Sequence, residues 1–427
     1  MTSPVKTVHA NSCTAQLEPS SIVSVAKWLT RRRIRAQAIM LAVCLWGVCA
    51  IDFATPGLFD RAGNIKFQDF LQFPISARLI ASGRASELYN DRVLADGIRQ
   101  IAGNTRVYLQ YFYGPQVALP FAALGRLPFL AQAEIWVALS LLMYFACIYL
   151  LWKTCSELTP YPGIVAVCAI AYPPLFHFFV RGQLSAPVLL FVTAAYFAFR
   201  ARRDWLAGMA LGFLAFKPQF LVAIALVLLA ARAWKAFAGL AISAGAQLGL
   251  TLIYFGRSIM RAYMTMLLHS AKQPGSTELS LSKIQMHSLR SFWSLLVPWP
   301  DAVWVLYLLS LLAVVAIAAA VWKSSSSPAI RFSALILAAA LANPHLYIYD
   351  LLAVAPVFLL LADWSIKNSQ HDFTPALRVL LYLAFVLPLF GPLSRWTHVQ
   401  LSVPIFAALL WLLWRLSEIP SPKLATG

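Results

Sequence analysis

Apolar residues dominate the chain and come in blocks of about 12 to 20, separated by short groups of Arg, Lys, Pro or Gly. Such blocks are typical of transmembrane helices, because a helix needs about 20 apolar residues to cross the hydrocarbon core of a bilayer. The blocks are 36–55, 131–152, 162–179, 185–199, 205–216, 219–232, 236–255, 302–322, 331–343, 347–363, 377–390 and 398–414. They predict an all-α integral membrane protein with about twelve transmembrane helices.

One long polar stretch, 56–112, follows the first predicted helix. Its segments 75–82 and 93–101 have apolar residues at helical spacing, which predicts short amphipathic helices on the membrane surface. The block 115–129 contains three prolines and is expected to be broken, interfacial or re-entrant. The first helix follows the basic run Arg31-Arg32-Arg33-Ile34-Arg35, which places the N-terminus in the cytoplasm. The polar stretch is then predicted to be extracytoplasmic.

The apolar pattern predicts one transmembrane domain over 36–414, with 56–130 as its first outer loop. It is flanked by a basic cytoplasmic segment, 1–35, and a cytoplasmic tail, 415–427. No convincing small-residue cleavage site follows the first apolar block, so an uncleaved first helix is favoured over a signal peptide.

Composition narrows the class of protein further. The chain of 427 residues is 60% hydrophobic and only 12% charged, which excludes a soluble globular enzyme. Its net charge is +18, but the basic residues are scattered at block ends and form no basic face, so no nucleic-acid partner is expected. Neither Cys/His spacing nor a carboxylate cluster predicts a metal site, and no cofactor is expected.

Two apolar blocks are interrupted in the middle by polar residues. Lys217-Pro218-Gln219 divides 205–231, and Asn343-Pro344-His345 divides 330–363. Each arm of the first block spans about 20 Å, less than the roughly 30 Å hydrocarbon core, so Lys217 is predicted to lie in a water-filled cavity below the outer surface. Irregular backbone at membrane depth lines a cavity or is buried by protein. The two hairpins therefore predict one shared, outward-facing site.

Three functional classes fit this pattern. No Walker loop or dinucleotide fingerprint is present, so an enzyme acting outside the membrane would take an activated group from a lipid or hydrolyse its substrate. A multispanning transporter or lipid flippase of the envelope pathway would also use broken helices. A non-catalytic partner in envelope polysaccharide synthesis is the third alternative.

A series of short motifs occurs in one order along the chain. They are Phe67-Gln68-Asp69-Phe70, Gly83, Leu88-Tyr89-Asn90-Asp91, Tyr113-Gly114-Pro115, Gly182-Gln183, Phe216-Lys217-Pro218-Gln219, Asn343-Pro344-His345 and Tyr349-Asp350-Leu351. Over about 65–352 this series resembles glycosyltransferase family 87. The resemblance implies a GT-C-type bundle with a long first extracytoplasmic loop. Together with the basic N-terminal run it indicates the inner membrane of a bacterium, and about twelve spans after a cytoplasmic N-terminus predict that both termini are cytoplasmic.

The resemblance also implies the reaction. Members of the family use polyprenyl-phosphate sugars and include mannosyltransferases. This chain is therefore expected to move a hexose, with mannose as the first choice, from such a donor to an envelope glycan or lipid acceptor, with inversion. The expected partners are therefore the lipid-linked donor, a glycan or glycolipid acceptor and membrane lipids.

Site residues follow from the same motifs. Asp69 is expected to be the general base that deprotonates the acceptor hydroxyl. Arg181 and Lys217 are expected to bind the donor phosphate. His345, together with Gln183 and Asp350, is expected to bind the sugar or the phosphate. Exchange of Lys217 for Met is expected to weaken donor use at normal protein abundance; the alternative for Lys217 is a turn residue that reaches the membrane interface.

Overall fold

The computed structural model describes residues 19–103, 107–272 and 285–418, and this part of the chain is almost entirely helical. The α-helices are α1 (Pro19–Trp28), α2 (Arg31–Phe53), α3 (Gln72–Ala81), α4 (Asp91–Ala102), α5 (Leu119–Ala122), α6 (Phe129–Thr154), α7 (Pro162–Ile170), α8 (Pro173–Arg181), α9 (Ser185–Arg200), α10 (Asp204–Gly212), α11 (Pro218–Ala230), α12 (Trp234–Lys272), α13 (Leu289–Leu296), α14 (Pro300–Lys323), α15 (Pro328–Ala342), α16 (Ala355–Lys367), α17 (Thr374–Val386), α18 (Ser394–Thr397) and α19 (Ser402–Glu418). Short 3₁₀ turns join them at Gln68–Leu71, Ala85–Glu87, Pro115–Ala118, Phe213–Phe216, Ile348–Val354 and Leu387–Leu393.

Six helical segments of the described residues are long and apolar enough to cross a membrane: Arg31–Phe53, Phe129–Thr154, Trp234–His269, Pro300–Lys323, Ile348–Lys367 and Thr374–Thr397. Helices α7 and α8, bent by 46°, can form a seventh crossing. Each of the twelve predicted apolar blocks falls largely on helix, but the structure does not support about twelve full spans. Proline and glycine divide several blocks into pieces too short to cross, because 13 residues of helix reach only about 20 Å.

Two of the long helices expose continuous apolar surface. The exposed side chains include Ile39, Met40 and Val43 on α2, and Leu308, Leu309 and Leu312 on α14. Apolar patches of this kind are a liability in water, whereas in a bilayer the same side chains face lipid. The predicted class, an α-helical membrane protein, is thus confirmed.

Helices α10 and α12 pack closely because small residues line their contact. A Cβ at Gly208 would overlap the backbone of Ala236, and one at Gly212 would overlap the backbone of Leu240. The second contact lies four residues after the first on both helices, so the two chains run in the same direction and α10 and α12 are parallel. Helix α11 must therefore return the chain between them. The reversal falls at Lys217, as the predicted hairpin requires.

The second predicted hairpin is also present. Helix α15 ends at Ala342, the chain turns through 343–347, and the 3₁₀ turn Ile348–Val354 leads into α16, which packs beside α15. The two interrupted blocks are thus reversals rather than single kinked spans.

The first outer loop differs from its prediction at α3. Both predicted amphipathic segments are helical, as α3 and α4. However, α3 is buried on nearly all sides, including its polar residues Gln72 and Ser76, so it is not a surface helix. Aromatic packing covers it, with the Phe73 and Phe121 rings stacked at 4.9 Å. Apolar spacing identified the helix but could not show that the loop folds over its polar face.

The block after this loop is too short to cross the membrane, as its prolines predict. It consists of the 3₁₀ turn Pro115–Ala118 followed by the single turn of α5. The predicted terminal segments 1–35 and 415–427 lie partly outside the described residues.

Candidate functional site

Asp69 lies on the 3₁₀ turn Gln68–Leu71, which begins after an unusual backbone conformation at Phe67. Phe67 has φ 55° and ψ 39°, the left-handed region that costs an L-residue other than glycine about 1–2 kcal/mol. Its ring packs edge-on against Phe53 at 5.3 Å and Phe179 at 5.9 Å, and these contacts hold the conformation. Backbone strain of this kind is frequent at functional sites.

The end of α8 supplies two polar partners for the Asp69 carboxylate. Gln183 donates from Nε2 to Oδ2 at 2.8 Å, and an Arg181 guanidinium nitrogen lies 3.4 Å from Oδ1. The Asp69 side chain is 13% exposed and that of Arg181 33% exposed. A carboxylate has about four lone-pair positions, so Asp69 keeps acceptor capacity beyond these two contacts.

Glycine is needed between these two partners. Gly182 ends α8 with φ +69°, and its N–H donates to the carbonyl of Phe178 at 2.9 Å. A Cβ at Gly182 would lie 2.9 Å from Cβ of Phe70. The close approach of α8 to the Asp69 turn therefore depends on the missing side chain.

Exchange of Gly182 for Ala should destabilise the protein and lower sugar transfer, because the new methyl group pushes Gln183 away from Asp69. The left-handed φ costs about 1–2 kcal/mol, and overpacking against Phe70 adds about 1–3 kcal/mol. Thermal unfolding of the purified protein measures the loss. Gly83→Ala is the matched control, since Gly83 has φ +72° with open space around it. Equal losses in the two variants would show that the contact with Phe70 is unimportant.

Tyr113 extends this network inward. Its hydroxyl donates to Oε1 of Gln183 at 2.8 Å, which fixes the amide so that its nitrogen faces Asp69. Burial raises the pKa of Tyr113 well above its usual value, and the nearby carboxylates of Asp350 and Asp69 raise it further. The phenol is therefore a permanent donor at neutral pH.

The second group of the site is a buried ion pair between Lys217 and Asp350. The Lys217 ammonium contacts Oδ1 of Asp350, and the two side chains are 3% and 2% exposed. The hydroxyl of Ser185 donates to the same oxygen at 3.2 Å, and the N–H of Tyr347 lies 3.4 Å from Oδ2. Asp350 is thus satisfied on both oxygens.

This pairing corrects the expectation for Lys217. The residue lies at the hairpin apex as predicted, but its side chain is buried and is not open to a water-filled cavity. The two arms are about 20 Å long, shorter than the roughly 30 Å hydrocarbon core, as predicted. The space above them is occupied by protein, because Asp350 and two tyrosine rings cover the ammonium.

Aromatic rings connect the Lys217–Asp350 pair with Asp69 and its partners. The Lys217 ammonium lies 6.0 Å from the ring centre of Tyr113 and 5.6 Å from that of Tyr349. Tyr113 therefore contacts both the Asp69 partner Gln183 and the Lys217 side chain. Tyr349 stacks on Tyr347 with ring centres 5.3 Å apart. The structure brings five of the six predicted site residues into this one arrangement.

His345, the sixth, belongs to a neighbouring contact. Its Nε2 lies 3.3 Å from an Arg290 nitrogen, and its backbone N–H donates to Oδ1 of Asn343 at 2.9 Å. Burial, and to a smaller extent the nearby Arg290 charge, together lower the pKa of His345 to about 4. The imidazole is neutral at pH 7 and accepts a hydrogen bond from Arg290.

Ser185 was not singled out from the sequence, and Tyr113 was named only as part of a motif, without a role in the site. Ser185 stands two residues after Gln183 at the start of α9, and Tyr113 directly precedes Gly114-Pro115. The available signal was the position of Tyr113 inside a motif and of Ser185 just after one. Within the described residues, no group of three or more His, Cys, Asp or Glu side chains is arranged to hold a metal ion.

The fold and this site define a multispanning membrane protein with a polar, carboxylate-containing site where helix ends meet the first loop. Comparison with known families specifies the class. The model of glycosyltransferase family 87 matches residues 111–348, more than half of the chain. The chain therefore belongs to glycosyltransferase family 87 and is an enzyme that transfers a sugar.

The family match includes Tyr113, Arg181, Gln183, Lys217 and His345. Asp69 precedes it and Asp350 follows it closely. No curated protein and no solved structure matches the chain.

Proposed function

We propose that the protein transfers a hexose, with mannose as the expected sugar, from a polyprenyl-phosphate donor to an envelope glycan or lipid acceptor on the extracytoplasmic side of a bacterial inner membrane. The observation that carries this proposal is the Asp69 carboxylate held by Arg181 and Gln183, next to the Lys217–Asp350 pair. This arrangement brings a carboxylate and two cations together where several helices end, as the proposed reaction requires. Membership of a glycosyltransferase family favours this function over a transporter or an assembly partner.

Asp69 is the proposed general base. It takes the proton of the acceptor hydroxyl while that oxygen bonds to the anomeric carbon of the donor. The bond from this carbon to the phosphate oxygen breaks at the same time, and its electron pair stays on the phosphate. A single displacement of this kind inverts the anomeric carbon. Gln183 and Arg181 orient the carboxylate and leave lone pairs for the acceptor.

Arg181 is the more accessible phosphate ligand of the two proposed cations. Its side chain is 33% exposed, and a guanidinium can bind a phosphate through two parallel hydrogen bonds. Lys217 is buried, so its contact with the donor phosphate requires the Lys217–Asp350 pair to open or to share the ammonium. Positive charge from Arg181, joined by Lys217 once the pair opens, then stabilises the leaving phosphate.

The remaining proposed contacts, from Gln183, Asp350 and His345, are to the sugar or to the phosphate. His345 would supply a neutral imidazole beside Arg290, and Asp350 would become available when the Lys217–Asp350 pair opens. The polyprenyl phosphate is itself the leaving group, so the proposed reaction needs no cofactor.

The donor class is the most direct test of this proposal. Purified protein in nanodiscs should transfer labelled hexose from polyprenyl phosphate to an envelope glycolipid fraction, and should not use the corresponding nucleotide sugar. Transfer from the nucleotide sugar alone would reject the proposed donor. Movement of labelled lipid between leaflets without transfer would support the flippase alternative.

We further propose that both termini of a single domain, 36–414, are cytoplasmic and that the 56–112 loop is extracytoplasmic. In intact cells, a membrane-impermeant thiol reagent should label a cysteine introduced at Ser86, which is exposed next to α4, and should not label one at Ser369, which is exposed after α16. Wild-type protein gives the background from native cysteines. The reverse labelling pattern would place Asp69 on the wrong side for an envelope acceptor.

A further inference from the structure

We propose that a basic cleft at the far end of α2 from the Asp69 loop binds the phosphate headgroup of an anionic membrane phospholipid. The cleft has a volume of ≈ 590 Å³ and lies between the beginnings of α2 and α7. Helix α2 is 23 residues long, or about 35 Å, and the loop that carries Asp69 follows its other end. The cleft is therefore separate from the site described above.

One face of α2 presents basic side chains first and an apolar side chain after them, as a phospholipid with a charged headgroup and apolar tails requires. Arg31, Arg35 and Ile39 line the cleft and are spaced four residues apart, so they lie on the same face of the helix. The two guanidinium groups come first along the helix, and an apolar side chain that is 42% exposed follows. A phosphate at the arginines would direct its acyl chains along Ile39 into the membrane.

The other wall of the cleft belongs to α7 and the turn before it. The Arg31 guanidinium carbon lies 4.0 Å from the ring centre of Tyr161, a cation–π contact that holds this arginine at the cleft. Ile164, in the first turn of α7, continues the apolar surface on this side. On both walls, polar or aromatic side chains at the start of the helix are thus followed by an apolar side chain.

The positive charge of the cleft is not neutralised within the described part of the chain. None of the ion pairs there involves Arg31, Arg32 or Arg35, and the first turn of α2 contains no acidic residue. The helix N-terminus adds partial positive charge to that of the arginines. Basic clefts between transmembrane helices on the cytoplasmic side of a membrane favour anionic lipid headgroups, and the proposed topology puts this cleft on that side.

A bound lipid would also connect a weakly packed helix to the rest of the bundle. Only 11% of the membrane-spanning window of α2 is buried inside the protein, the smallest share among the six long spans of the described residues. A phosphate shared by α2 and the turn before α7 would hold the helix that leads into the Asp69 loop. This inference does not depend on the proposed donor or acceptor.

Native mass spectrometry of the purified protein tests the proposal. The wild type should bind phosphatidylglycerol in preference to phosphatidylcholine of the same chain length. The double variant Arg31→Gln/Arg35→Gln should bind phosphatidylglycerol about 10- to 30-fold more weakly and lose the preference. Arg31→Lys/Arg35→Lys keeps the charge and should retain part of it, which separates loss of binding from loss of folding.

Arg202→Gln/Arg203→Gln is the matched control, because it removes two exposed charges from the turn between α9 and α10 and should leave lipid preference unchanged. Equal losses in the two glutamine double variants would show non-specific attraction and overturn the proposal. Displacement of phosphatidylglycerol by millimolar inorganic phosphate would also overturn it, since the cleft would then bind soluble phosphate.

Discussion

Replacement of Asp69 by Asn is expected to lower the rate of sugar transfer by at least about 100-fold, the lower end of the contribution of general-base catalysis. Asn has the same shape but cannot take the acceptor proton. Binding of the lipid-linked donor should persist, because the carboxylate acts on the acceptor. The unfolding free energy should change by less than about 1 kcal/mol, since the lost ion pair with Arg181 is partly exposed.

Asp91→Asn is the matched control in the same loop. The Asp91 carboxylate accepts hydrogen bonds from Tyr108 at 2.9 Å and Gln110 at 3.0 Å. These partners are different from Arg181 and Gln183, which hold Asp69. Transfer assays with both variants and the same donor preparation compare the two carboxylates. If Asp69→Asn keeps more than a third of the activity while Asp91→Asn loses it, Asp91 is the base.

Exchange of Lys217 for Met is expected to reduce both stability and transfer. The structure corrects the expectation of normal abundance, because removal of the ammonium leaves the Asp350 carboxylate buried without its counter-ion. Loss of one partner of a buried ion pair costs about 3–5 kcal/mol. The single variant should therefore unfold at a lower temperature and accumulate poorly, whatever the role of Lys217 in catalysis.

The double variant Lys217→Met/Asp350→Asn separates the two roles of the lysine. Both charges are absent, so most of the lost stability should return. If Lys217 binds the donor phosphate, kcat/KM should remain about 10- to 150-fold below that of the wild type. This factor corresponds to the loss of one charge-assisted hydrogen bond, about 1.5–3 kcal/mol. Normal kcat/KM in a stable double variant would make the pair purely structural and leave Arg181 as the phosphate ligand.

The positions of helices and reversals could be predicted from the sequence because they depend on local patterns. Apolar blocks identified the helices, and the polar interruption at Lys217 identified a reversal that the parallel packing of α10 and α12 requires. The number of full spans could not be predicted in the same way. Whether a short apolar helix crosses a membrane depends on its neighbours, and α15, with 15 residues, is almost completely buried by them.

Contacts across the site depend on conformations that no local pattern specifies. Asp69 meets Gln183 only because Phe67 and Gly182 both adopt left-handed backbone conformations. Such a conformation is ordinary for Gly182 but unexpected for Phe67, where surrounding rings enforce it. The sequence placed Lys217 and Asp350 on the same side of the membrane, but not in contact, since the pairing depends on how α9, α11 and α15 pack.

Mass spectrometry of envelope glycolipids tests the central claim, that the Asp69 site transfers a sugar to an envelope acceptor. A strain lacking the gene should accumulate a glycolipid lighter by one hexose than that of the parent. Wild-type protein should restore the full-length glycolipid, and Asp69→Asn protein at the same abundance should not. An unchanged glycolipid profile in the deletion strain, or full restoration by the Asp69→Asn protein, would contradict this account.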